Sequence, residues 1–136
     1  MATLNPYLAF DGNARDAMEF YRDVFGGELN IMTFGDMGTE GDLAANVMHA
    51  QLDGGPHGFT LMGSDMPPGQ DLRPGNQMSV SLSGDQADGL RGYWDRLIDG
   101  GTVMTPLEKQ MWGDEFGMCA DRFGIAWLVN IAAPQA

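Results

Sequence analysis

Cysteine is almost missing from this chain, with Cys119 the single example among 136 residues. One thiol excludes an internal disulfide and a cysteine-rich zinc site, and it suits a reducing compartment. Basic residues are scarce as well: 7 Lys and Arg stand against 19 Asp and Glu, for a net charge of −12. Such a chain repels phosphate backbones and anionic lipid, which argues against nucleic acid and membrane surfaces as partners. Nowhere is there a run of about 18 apolar residues, and the opening MATLNPYLAF has no basic stretch followed by a long apolar one. These absences predict a cytoplasmic protein whose partner is a small molecule. What remains, 43 % hydrophobic with 10 % aromatic residues, is enough for one compact domain with its own core.

The stretch Leu8 to Gly27, LAFDGNARDAMEFYRDVFGG, sets a pattern that returns 72 positions later. Gly12 recurs as Gly84, Asp16 as Asp88, Tyr21 as Tyr93 and Asp23 as Asp95, with Phe10/Leu82, Met18/Leu90 and Phe25/Leu97 as apolar equivalents. A repeat of this length means one supersecondary unit used twice. The organisation expected is a single domain, 1–136, built from repeats 4–65 and 76–132. Gly63 to Asn76, rich in proline and glycine, joins them.

Local patterns fill in each repeat. Asn5 to Phe10 reads as a strand ended by Asp11-Gly12. Asn13 is the expected N-cap of a helix with apolar residues at Ala14, Ala17, Met18, Tyr21, Val24 and Phe25, stopped by Gly26-Gly27. Leu29 to Phe34, Val47 to Leu52 and Phe59 to Met62 read as strands. Gly35 to Asp42 reads as a mobile loop, because it lacks the lysine and spacing of a phosphate cradle and its acids would repel phosphate. In the second repeat Gln77 to Leu82, Thr102 to Leu107, Phe116 to Ala120 and Ile125 to Ile131 read as strands and Gln86 to Ile98 as a helix. Gly89 and Gly92 weaken that helix by about 1 kcal/mol each relative to alanine, which predicts a close approach to the sheet. Each half therefore reads β-α-β-β-β.

Strand alternation in VMHAQL puts Met48, Ala50 and Leu52 toward the helix and Val47, His49 and Gln51 on the opposite face. There His49 could act as a general base or bind an anion, or simply bond across the sheet. His57 falls in a turn and is expected in solvent. Trp112 is expected at a cleft mouth or a dimer seam, and Trp127 in the helix-facing core. Met62, Met66, Met111 and Met118 could line an adaptable apolar pocket or fill core space. Cys119, in an apolar strand with no basic neighbour, reads as buried and inert. Asp114 and Glu115 read as a solvated acidic pair.

Taken together and in order, PYLAF-DGNARDAMEFYRDVFGGEL, VMHAQL, LMGSDMPPG and MTPLEKQMWGDEFGMCADRFGIAW resemble the PhnB-like branch of the vicinal oxygen chelate superfamily, which holds glyoxalase I, extradiol dioxygenases and bleomycin- and fosfomycin-resistance proteins. The resemblance implies an α+β fold in which two β-α-β-β-β modules form a curved sheet around a cleft, usually within a homodimer, the cleft usually holding a divalent metal. The implied ligands are a histidine or glutamine on the first strand of each module and a glutamate four residues after a glycine on the last. Here Gly58 and Gly124 put Met62 and Leu128 in the glutamate positions, and the first-strand positions hold Asn5 and Gln77. Two neutral amides, a thioether and an aliphatic chain cannot offset the desolvation of a divalent cation, so no metal and no cofactor are expected. The reading that follows is a small-molecule-binding protein with Asn5, His49, Gln51, Met62, Gln77, Trp112 and Leu128 in its cleft. The competing expectations are a metal-dependent lyase, isomerase or dioxygenase using Gln77 and His49, and an antibiotic-sequestering resistance protein. The residues name no catalytic pair, so whether the protein is an enzyme stays open at this stage.

Overall fold

The computed structural model describes residues 2–134. Two compact units divide the chain, Met1–Pro74 and Gly75–Ala136. The first contains β1 (Tyr7–Phe10), α1 (Ala14–Phe25), β2 (Glu28–Thr33), β3 (Val47–Gly54) and β4 (Phe59–Asp65). The second contains β5 (Val80–Gly84), α2 (Ala87–Ile98), β6 (Thr102–Lys109), β7 (Glu115–Ala120) and β8 (Ala126–Ile131). Both are β-α-β-β-β modules, and the class is α+β. Each has a four-stranded mixed sheet, ordered β1-β4-β3-β2 in one and β5-β8-β7-β6 in the other. In each, the first strand runs parallel to the last and the other pairings are antiparallel. The strands that flank each helix, β1 and β2 or β5 and β6, run parallel at opposite edges of their sheet, so no tight turn can join them and the helix makes the crossover.

One face of each helix supplies the core. Ala14, Ala17, Met18, Tyr21, Val24 and Phe25 of α1 are buried, against Phe10, Ala50, Leu52 and Leu61 of the sheet. In α2 the buried residues are Leu90, Tyr93, Trp94 and Leu97, with Leu82, Cys119, Trp127, Val129 and Ile131 below them. Each fully buried large apolar side chain contributes about 1.5–3 kcal/mol relative to exposure. Glycine allows the helices to come close, at positions the sequence alone did not mark. A Cβ at Gly63 in β4 would lie 3.2 Å from Met18 Sδ, and one at Gly117 in β7 would lie 2.8 Å from the Trp94 ring. Gly89 and Gly92, expected to serve that purpose, do not. Nothing lies within 4 Å of a Cβ on Gly89, and only the flexible Arg96 side chain approaches one on Gly92.

Several boundaries differ from the sequence expectations. β4 continues to Asp65, so residues 63–65 belong to a strand and not to the connection. Gly35–Met37 forms a 3₁₀ turn, in which Asp36 accepts from Thr33 N–H at 2.8 Å while Thr33 Oγ1 accepts from Asp36 N–H at 3.1 Å. Hydrogen bonding to the carboxyl from the Thr33 backbone N–H first, and then from the Thr33 side chain, holds Asp36 below its ordinary range. β5 begins at Val80, leaving Gln77 exposed and outside any strand. Asn13 makes no side-chain cap. Asp65 takes that role from the far end of the unit: its Oδ1 accepts from Gly12 N–H at 2.8 Å and Ala14 N–H at 2.9 Å, and its Oδ2 from Val47 N–H at 2.8 Å.

The repeat also drifts. The helices open at Ala14 and Ala87, 73 positions apart rather than 72. At the strand ends the Phe10 carbonyl accepts from Met66 N–H and the Gly84 carbonyl from Ala132 N–H, so the sheet counterpart of Phe10 is Gly84, not Leu82. Counting back the same distance from Gly84 reaches Ser79, and the equivalence of Asn5 with Gln77 is lost.

Candidate functional site

On the face of the first sheet opposite α1, the only α-helix of the first unit's described residues, strand register arranges the side chains in rows. Tyr7 stands beside Met62 and Met62 beside Gln51, which in turn faces Asn30. The next position along β3 on this face is His49, opposite Met32 of β2. The burial alternation agrees, since Leu61, Gly63 and Asp65 are buried while Thr60, Met62 and Ser64 are half-buried.

Two polar groupings stand on this face. Tyr7 Oη and His49 Nδ1 are 3.1 Å apart, with ring centroids 5.7 Å apart and planes tilted by 37°. Whichever partner donates, the pair offers a phenol and an imidazole that can give or take a hydrogen bond and pass a proton between them. Along the same strand, Gln51 Nε2 donates to Asp53 Oδ2 at 2.7 Å and Thr60 Oγ1 donates to Asp53 Oδ1 at 3.0 Å. Asp53 thereby orients the Gln51 amide and spends both carboxylate oxygens inside the sheet. Met62, between the two groupings, is the apolar floor.

The expected site residues separate by unit. His49, Gln51 and Met62 come together on this face. Asn5 lies just ahead of β1, its amide donating to Thr3 Oγ1 at 3.1 Å. Val47, expected beside His49, is instead buried in the core, because a bulge pairs Met32 with His49 but Thr33 with Val47 and turns the strand by one position. In the second unit Leu128 lies on the sheet face opposite α2, between Ser81 and Met118. Trp112 is exposed in the β6–β7 connection, edge-on to Phe116. His57 is exposed as expected, stacked on Phe59. Tyr7, Asp53 and Thr60 were not singled out from sequence. Alternation in the first strand, which places Tyr7 on the same face as Asn5, was the signal available for the first of them.

Other polar residues hold the second module together. Asp121 accepts from Phe123 and Ile125 N–H and from Trp127 Nε1, the last at 2.8 Å, which explains a buried carboxylate beside the core tryptophan. Burial, reinforced by the Asp121 charge, pushes the Cys119 thiol up to about 11, in line with an inert thiol. Tyr93 is raised by burial too. Asp114 and Glu115 are not a solvated pair: Asp114 accepts from Asn130 Nδ2 and Ala133 N–H, and Glu115 is ion-paired with Arg91.

The donor set does not suit the divalent metal that the resemblance implies. Among the described residues no group of three or more His, Cys, Asp or Glu side chains is placed to hold an ion. Met62 and Leu128, which the resemblance puts in the carboxylate positions, carry thioether and aliphatic groups, and these do not compensate a hard cation. Among the described residues, no helix is long and apolar enough to cross a membrane.

Comparison with known proteins agrees with the architecture. The chain is 30 % identical to Protein YjdN of Escherichia coli K12, the alignment covering 97 % of each. Its structure is similar to that of protein PA1353 from Pseudomonas aeruginosa, with a TM-score of 0.87, 36 % identity and coverage of 98 % of this chain and 100 % of that one. It shares its fold with a PhnB protein from Bacillus cereus described as a putative 3-demethylubiquinone-9 3-methyltransferase, at a TM-score of 0.75 and 21 % identity over 96 % and 100 % of the two chains. Residues 3–129 match a family description that fits the two β-α-β-β-β modules, and the chain belongs to the glyoxalase/bleomycin resistance protein/dioxygenase superfamily.

Proposed function

We propose that this protein binds a small, mainly apolar organic molecule on the face of its first module opposite α1, without a resident divalent metal, and that it works as a cytoplasmic homodimer. The observation that carries the reading is the Tyr7–His49 hydrogen bond, 3.1 Å long, on the sheet face opposite α1. Met62 supplies apolar contact, and the pre-oriented Gln51 amide and the Tyr7–His49 pair supply directional hydrogen bonds for a carbonyl or hydroxyl group. A few fixed polar groups on an apolar floor are the usual make-up of a small-molecule site.

A thermal-shift screen of carbonyl- and hydroxyl-bearing compounds tests this, because a ligand bound only by the folded state at a hundred times its Kd adds about 2.7 kcal/mol. Stabilisation by a compound that is lost in both Tyr7→Phe and His49→Ala supports the proposal. Elemental analysis of untagged protein is the counter-test. One tightly held metal per subunit, abolished by Gln77→Ala, replaces this reading with a metal-dependent enzyme.

A further inference from the structure

We propose a second ligand site, on the helix-bearing side of the second module, that takes a small monocarboxylate with an apolar body. A groove of about 500 Å³ lies there among α2, the ends of β6 and β8 and the segment after β8. Two of the chain's seven basic residues line it, Arg91 and Lys109, and Lys109 is the only lysine in the sequence.

Their charges are not equally available. Arg91 is ion-paired with Glu115 and lies 3.8 Å from an Asp88 carboxylate oxygen. Lys109 faces Glu115 across the β6–β7 ladder, but Arg91 has taken that carboxylate. Among the described residues no acidic group lies within ion-pairing distance of the Lys109 ammonium. Among the described residues the groove therefore presents one uncompensated cation, and Ile131, Ala133 and Pro134 make part of its lining apolar.

That part of the lining is held in place. Asp114 accepts from Ala133 N–H at 2.8 Å and from Asn130 Nδ2 at 3.0 Å, and Ala132 N–H donates to the Gly84 carbonyl at 2.7 Å. One cation beside fixed apolar surface selects a single carboxylate carried on hydrocarbon. A phosphate or a dicarboxylate would bring charge that nothing here matches, onto a chain whose net charge of −12 already repels anions. At physiological salt that long-range repulsion is screened within about 8 Å, and the local ammonium decides.

Benzoate is a suitable probe, with benzyl alcohol and benzylamine as controls, followed by amide chemical shifts of the full chain. The expected result is saturable movement of the Gly113, Ala132 and Ala133 amides at low-millimolar benzoate, weakened about tenfold in Lys109→Gln, as befits loss of one charge-assisted hydrogen bond. Lys109 is exposed, so the variant should keep the wild-type spectrum elsewhere. His49→Ala should leave benzoate binding unchanged, which separates this groove from the site on the first module. No saturation by about 50 mM benzoate, an equal Kd in Lys109→Gln, or equally tight binding of benzyl alcohol would each overturn the proposal.

Discussion

Asp65, the last residue of β4, holds Ala14, the first residue of α1, through a 2.9 Å hydrogen bond from the Ala14 N–H that spans 51 positions of chain. The same carboxylate receives Gly12 and Val47, so one buried side chain ties the helix start, the last strand and the bulged start of β3 together. Replacing it with alanine leaves three N–H groups without their acceptor. We expect Asp65→Ala to lower stability by about 3–5 kcal/mol, and Asp65→Asn by less because one acceptor oxygen survives. Urea denaturation of both variants measures this, and equal stability of Asp65→Ala and the parent protein would contradict it.

Gly117→Ala and Gly89→Ala should move stability in opposite directions. A Cβ at Gly117 meets the Trp94 ring at 2.8 Å and the Leu107 backbone at 2.9 Å, a clash that costs about 1–3 kcal/mol. At Gly89 the space is open and the residue lies within a helix, so alanine should add about 0.5–1 kcal/mol. Melting temperatures of the two variants decide the matter.

Cys119 should resist iodoacetamide at pH 8 in the folded protein and react once urea unfolds it, because the folded thiol titrates near 11 against an ordinary 9.0. The raised value has a consequence for stability. Between these two values the folded state holds a proton that the unfolded state has lost, so this contribution is complete below pH 9 and is lost as pH rises toward 11. Cys119→Ala should flatten the alkaline limb of a stability-against-pH curve, and an unchanged limb would count against the assignment.

Acid should release the segment after β8. Hydrogen bonds from Asn130 and then Ala133 hold the Asp114 carboxyl below its ordinary value of 3.8, so the stability it contributes is present above that value and lost as pH falls through the folded one. The Ala133 amide should gain exchange with solvent over that acid range. In Asp114→Asn its protection should no longer follow that titration.

Much of the architecture was legible along the chain because helix and strand periodicities are local. The apolar spacing in residues 14–25 and 87–98 was enough to place both helices, alternation put Trp127 on the buried face, and the apolar strand around Cys119 marked it as buried, where the structure has them. Tertiary structure alone decided what depends on register between distant strands. A bulge at Met48 turned Val47 into the core, and the difference in pairing between β1 and β5 separated Gln77 from its supposed counterpart Asn5. Tyr7 reaches His49 only because β4 enters between β1 and β3 and brings residues 42 positions apart within 3.1 Å. Asp65 likewise became a helix cap only when parallel pairing laid it beside Phe10. Side-chain type and spacing carry information about the nearest turn of chain, whereas these hydrogen bonds depend on which strand lies next to which, and that is settled by the packing of the whole module.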